Sequence, residues 1–288
     1  MKKVRKWLLY IAYTLLAMGC FFYLLFPAET VKGAVSAYLS KILPDYQIGI
    51  QRLYPVLPVG LGFESVTVLQ NDRTWARIDK LNLTPAMTTL ASPMKTINFH
   101  GRAYQGDLGG HVDIRPSDKD HQTDVFLKLT GIQLADIQNL EERLGRKLSG
   151  FLNGEVELSG PGGPNMSVKG KLDLTGVRFE LSNPIINIRE VTLNLVEAEF
   201  SLTKRVFSLK RLEAKGGQVE GNLTGTIMIR EPVGMSRINL RGSFFPQEVL
   251  LASFKDVLPG NLFKQQMGDK GMPIRISGTI EKPRFSFR

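Results

Sequence analysis

The chain has little of what most catalytic and metal-binding proteins are built from. Its 288 residues include one cysteine, three histidines and two tryptophans. A lone cysteine, Cys20, makes no internal disulfide and no zinc knuckle, so whatever folds after it is held by packing and backbone hydrogen bonds. No Gly-x-Ser-x-Gly elbow occurs, and Pro161-Gly162-Gly163-Pro164 lacks the lysine and following helix of a phosphate loop, so it reads as a turn. His100, His111 and His121 stand about ten residues apart with no carboxylate at a ligand spacing, a pattern that predicts no metal. Glu141-Glu142 lies beside Arg143, Arg146 and Lys147, the company of surface ion pairs rather than of acid and base catalysis. The expected chain is not an enzyme and carries no cofactor.

Charge is missing altogether from one stretch, Trp7 to Phe26, which follows Lys2, Lys3, Arg5 and Lys6. Twenty apolar residues are about enough to cross roughly 30 Å of hydrocarbon as a helix. The cations ahead of the run, with Glu29 the first charge after it, predict a cytoplasmic N-terminus and an exported body. Trp7, Tyr10 and Tyr23 suit the two interfaces, Phe26 closes the run, and Pro27 ends the helix. Two other readings compete. A cleavable signal has a shorter apolar core, of about 7 to 15 residues. Ala17-Met18-Gly19-Cys20 has a loose likeness to a lipoprotein processing site, yet Phe21 to Phe26 stays apolar where a polar tether would begin. An uncleaved anchor fits best, with lipidation of Cys20 left open.

The layout then divides into residues 1–26, a stub and anchor; 27–45, a short linking helix; and 46–288, one β-rich body. Net charge is +10, and setting aside the four leading cations from the 37 basic residues leaves 33 against 27 acidic ones, spread without runs. That argues for a solvated surface near anionic headgroups and against a nucleic-acid partner. Helical spacing predicts a helix over Val31 to Leu43, on Val31, Ala34, Val35, Tyr38, Leu39 and Ile42, a second from Leu134 to Leu148 and a third from Gln247 to Val257.

Elsewhere apolar and polar residues alternate. In Leu152 to Gly160 the even positions are Leu152, Gly154, Val156, Leu158 and Gly160, and the odd ones are Asn153, Glu155, Glu157 and Ser159. Period two means a strand with one wet face. The rule recurs in Leu108 to Arg115, Asp124 to Thr130, Val168 to Thr175, Val219 to Arg230, Arg237 to Ser243 and Ile274 to Glu281, with a parity slip at Arg189-Glu190 that reads as a bulge or turn. The fold class predicted is mainly β, a largely antiparallel sheet with a few short helices after one transmembrane helix. The apolar face can be covered by a second sheet, closed into a barrel, or left as an open groove. Glycines in the apolar rows, Gly110, Gly154, Gly170, Gly225 and Gly278, favour a curved sheet, groove or barrel-like. A weak repeat of glycine, alternating strand and hydroxyl-glycine accompanies them, as in Gly154 to Gly160 and Gly170 to Gly176.

The anchor, the alternating strands and the closing phrase Ile276-Ser277-Gly278-Thr279-Ile280-Glu281-Lys282-Pro283-Arg284-Phe285 together resemble type II secretion system protein N and, more distantly, the AsmA and TamB group of envelope proteins. The resemblance covers nearly the whole chain in layout and includes no catalytic motif. It implies a bacterial inner-membrane protein with a periplasmic body, a non-enzymatic accessory of the machine that exports folded proteins, whose partners are inner-membrane lipids and other envelope subunits of that system. The wider group implies an alternative, a lipid-binding or lipid-transfer module whose apolar β-groove takes phospholipid or other acyl chains. Candidate lining residues on the apolar rows are Val156, Leu158, Leu172, Leu174, Leu223, Ile227, Ile238 and Leu240.

Overall fold

The computed structural model describes residues 2–42, 45–70, 73–89, 91–116, 122–138, 140–144, 147–161, 166–185, 188–247 and 271–286. The chain divides into two compact units, Met1–Thr84 and Pro85–Arg288. In both, each strand pairs antiparallel with its neighbour in sequence, so the fold is built from successive hairpins.

The first unit opens with α1 (Lys2–Leu24) and α2 (Ala28–Ile42), separated at Pro27, and continues with β1 (Gln47–Val56), β2 (Gly60–Gln70) and β3 (Arg73–Pro85). Its core is Ile50, Leu53, Phe63 and Val66, with Val31 and Val35 of α2 and Phe26 packed against it. Ile50 pairs with Val66 and Leu53 with Phe63. Between these pairs Ser65 has φ 51°, which breaks the pleat and lets two residues three apart in β1 face the same core. Helix α2 matches the predicted segment, but its covered stripe runs through Ala28, Val31, Val35 and Leu39; Ala34 and Tyr38 are exposed. Spacings of three and four place those four residues on one face, and docking on a small core admits only that face. Among the described residues, no helix is long and apolar enough to cross a membrane.

The second unit is one open antiparallel sheet in chain order: β4 (Lys95–Ala103), β5 (Gly106–Arg115), β6 (Gln122–Gln133), β7 (Leu148–Gly160), β8 (Ser167–Ile185), β9 (Ile188–Thr203), β10 (Val206–Gly217), β11 (Val219–Met228), β12 (Arg237–Pro246), β13 (Met272–Thr279) and β14 (Pro283–Ser286). Five of the segments predicted from alternation lie wholly in one of these strands, while Val219 to Arg230 runs two residues past the end of β11 and Ile274 to Glu281 two residues past the end of β13, where the chain enters the following connections. Tyr104-Gln105 and Lys204-Arg205 turn the β4–β5 and β9–β10 hairpins with φ between 48° and 66°, the left-handed pair that a two-residue hairpin matched to strand twist requires. The parity slip at Arg189-Glu190 coincides with a register shift on β8, between Glu180 and Ile185, next to the β8–β9 reversal.

The helix predicted over Leu134 to Leu148 does not form as one piece. Leu134–Asp136 is a 3₁₀ turn, α3 (Leu140–Leu144) is five residues, and Leu148 already belongs to β7, paired with Phe179 of β8. A short isolated helix gains little in water, and cross-strand pairing takes its last turn. The helix predicted for Gln247 to Val257 lies, past Gln247, outside the described residues.

Candidate functional site: the apolar face of the long sheet

Cross-strand partners in an antiparallel sheet point to the same side, so the register fixes which residues share a face. One row across the second unit runs Ile97, Val112, Val125, Leu158, Val168, Leu202, Phe207, Ile227, Ile238, Gly278 and Pro283, without a polar side chain from β4 to β14. A second row adds Leu127, Val156, Gly170, Phe200, Leu209, Gly225 and Leu240, and a third adds Leu129, Gly154, Leu172, Ala198, Leu212 and Leu223. Leu174 stands in a fourth, between Leu152 and Val196. All eight predicted lining residues therefore lie on one continuous face. At about 4.8 Å per strand, the ten steps from β4 to β14 make a path of about 48 Å along the sheet.

These eight side chains are half-buried, none fully enclosed. Among the described residues, the buried apolar ones of the second unit are Ala103, Ile132, Leu134, Val177 and Leu209, and the buried core cluster belongs to the first unit. Neighbouring side chains shield one another on the face without a second layer of described protein over it. Glycines make this possible. Phe200 of β9 lies against its cross-strand partner Gly170 of β8, with its nearest ring atom 2.5 Å from where a Cβ would stand, and the Phe99 ring leans over Gly110 in the same way. Large aromatics so fill the space their partners leave.

The opposite face is wet and ion-paired. Lys128 meets Glu155 at 3.2 Å, Lys210 meets Glu199 at 3.2 Å, and Glu197 accepts from both Lys215 and Arg211. The Lys215 ammonium holds the Glu197 carboxyl below its ordinary range, with Arg211 adding to the effect, while Glu197 and then Glu213 hold Lys215 above its own. His111 stacks on Phe126 with ring centroids 5.5 Å apart, and lines one shallow cleft with Asp124, Glu157 and Lys169 and another with His100 and Lys128. His121 lies outside the described residues. Among the described residues no group of three or more histidine, cysteine, aspartate or glutamate side chains is placed to hold a metal. A larger cleft of about 670 Å³, between the Leu134–Asp136 turn, α3 and the ends of β7, β8 and β9, is lined by Asp136, Glu141, Glu180 and Glu190 with Lys147 and Arg178.

In the first unit, the predicted anchor residues Trp7, Tyr10, Cys20 and Tyr23 are exposed on α1, and their apolar neighbours Ile11, Met18, Phe21 and Leu24 are exposed as well. Phe26 differs: it turns onto the core. Alternation could not identify the aromatic residues that fill the glycine gaps, because the pairing that sets Phe200 against Gly170 is long-range in sequence. No family model, curated protein or solved structure matches the chain.

Proposed function

We propose that this protein holds acyl chains on the apolar face of its long sheet and is tethered to a membrane by α1. The observation that carries the reading is the unbroken apolar row from β4 to β14, half-buried from β4 to β13 and exposed at Pro283, without a second layer of described protein. Each methylene that leaves water contributes up to about 0.8 kcal/mol, so a chain of ten on this face gains up to about 8 kcal/mol before the cost of ordering it. In this reading the sheet is curved into a groove. The tether rests on the uncharged run Trp7 to Phe26 and on the exposed apolar side chains of α1. Within the run Trp7 to Phe26, the α1 positions Leu8, Leu9, Ala12, Leu15, Leu16 and Phe22 are apolar too. Catalysis has no part in this function.

Native mass spectrometry of the gently extracted full chain tests it. Bound phospholipid is expected on the wild type, and its loss on Leu172→Asp/Leu223→Asp, which places two carboxylates at mid-face. Consistent absence of lipid from the wild type, or its retention by the double variant, would defeat the proposal.

A second reading places the chain as an accessory of a type II secretion assembly at the bacterial inner membrane, with its body in the periplasm. Its support is the likeness of layout, an apolar lead followed by an open sheet whose last strand, β14, has four exposed residues and, among the described residues, an outer edge with no paired strand. Crosslinking in the native membrane separates the two. Capture of other secretion subunits is expected if the second holds, and their absence under conditions that capture those subunits with one another counts against it.

A further inference from the structure

At one end of the second unit's sheet, the alternation that keeps apolar residues off the wet face breaks down. Val206 at the start of β10 and Met228 at the end of β11 are cross-strand partners, and the register puts them on the polar face beside Arg237. Both are exposed. Beyond them the β11–β12 connection carries Val233 and Met235 in a 3₁₀ turn, exposed by 61% and 50%, and the β13–β14 turn carries Ile280, exposed by 43%.

Three connections far apart in sequence are bonded into one platform here. The Ile229 amide donates to the Arg205 carbonyl at 2.8 Å, the Ile280 amide to Ser236 at 3.1 Å and the Glu281 amide to Gly234 at 3.0 Å. Ser236 is fully buried, and its hydroxyl accepts from the Arg230 amide at 3.0 Å, which pins the connection from beneath. The exposed apolar side chains are thus held up by a fixed backbone and are not a frayed loop. Their surroundings are cationic: Lys204, Arg205, Arg230, Arg237 and Lys282 are all exposed, against Glu231 and Glu281, with Arg205 and Glu231 3.5 Å apart.

We propose that this platform docks on the surface of an anionic lipid bilayer, aliphatic tips entering the headgroup boundary and the surrounding cations facing lipid phosphates. Exposed apolar patches of this kind mark interaction sites. The excess of cations over carboxylates complements an anionic headgroup layer, and flexible aliphatic tips amid Lys and Arg are the composition of interfacial membrane contacts. The contact is distinct from the apolar face, and from α1, and stands whether or not the sheet carries lipid.

The test uses the full chain held in nanodiscs of neutral phosphatidylcholine, mixed with separate vesicles and floated on a density gradient. Wild type is expected to rise with vesicles containing phosphatidylglycerol and not with phosphatidylcholine vesicles. Arg205→Glu/Arg230→Glu/Lys282→Glu should lower the floated fraction about tenfold or more. Lys169→Glu/Lys171→Glu/Arg241→Glu, an equal change of charge on the polar face, should leave it near wild type. Equal loss in both triple variants would mean that diffuse charge drives binding, and equal flotation with neutral vesicles would mean that anionic lipid is not recognised; either overturns the proposal, as does binding unchanged in the platform variant. Val233→Ser/Met235→Ser alters only exposed side chains and keeps the test intact should the charge variant misfold: unchanged flotation of this variant overturns the proposal too.

Discussion

Glycine does different work at different positions, and the contrast can be measured. A Cβ on Gly242 would stand 1.7 Å from the carbonyl oxygen of Asn222 on β11, where backbone has no room to give. Gly242→Ala is expected to cost about 1–3 kcal/mol in urea unfolding, the range of an overpacked interior. Gly33, on the exposed side of α2, has nothing within 4 Å of its added methyl, and Gly33→Ala should raise the stability of the first unit by about 0.5–1 kcal/mol through chain entropy alone. Equal effects of the two substitutions would show that close approach across β11 and β12 is not what selects glycine. Sequence alone placed Gly110, Gly154, Gly170, Gly225 and Gly278 on apolar rows, and the register keeps all five there. It could not say that Phe200 covers Gly170, because a neighbour on another strand is settled by pairing.

Among elements, β9 and β10 carry the clearest electrostatic device. Glu197, Lys215, Arg211 and Glu213 form one exposed network across the two strands. Glu197 titrates below its usual 4.5, so its contribution to folding is complete above that value and is lost as pH falls through the lowered one. Lys215 titrates above its usual 10.5, so its contribution is complete below that value and is lost as pH rises through the raised one. Stability is therefore expected to be level between about pH 5 and 10 as far as this network is concerned. K215M should lower that plateau and flatten both limbs, in chemical unfolding followed across pH, and the effect should shrink in high salt. A variant curve parallel to the wild type at every pH would remove the network from the account. The strands themselves were legible from alternation wherever one side stays wet, as in Leu152 to Gly160. They were harder to read in β1, where a broken pleat puts Ile50 and Leu53 on one side, and in the Leu134 to Leu148 segment, where helical spacing is local and β7 is completed by pairing with β8.

At the scale of the molecule, the tether and the sheet make separate demands. With an alkaline phosphatase reporter fused after Arg288, the fusion is expected to be active in a bacterial host, as the cations ahead of Trp7 hold the N-terminus in the cytoplasm. Activity only from a cytoplasmic reporter at the same position would reverse the topology and remove the periplasmic body. The amino-acid sequence by itself determined that the chain is mainly β, that its strands have one apolar and one polar side, and that Trp7 to Phe26 carries no charge, since composition and period two are properties of neighbouring residues. Tertiary structure alone decided that these sides join into one row from Ile97 to Pro283, that the sheet stays open, and that Val206, Met228, Val233, Met235 and Ile280 meet at one end. Those features depend on backbone hydrogen bonds between residues distant along the chain, and no local pattern encodes which strand will lie beside which.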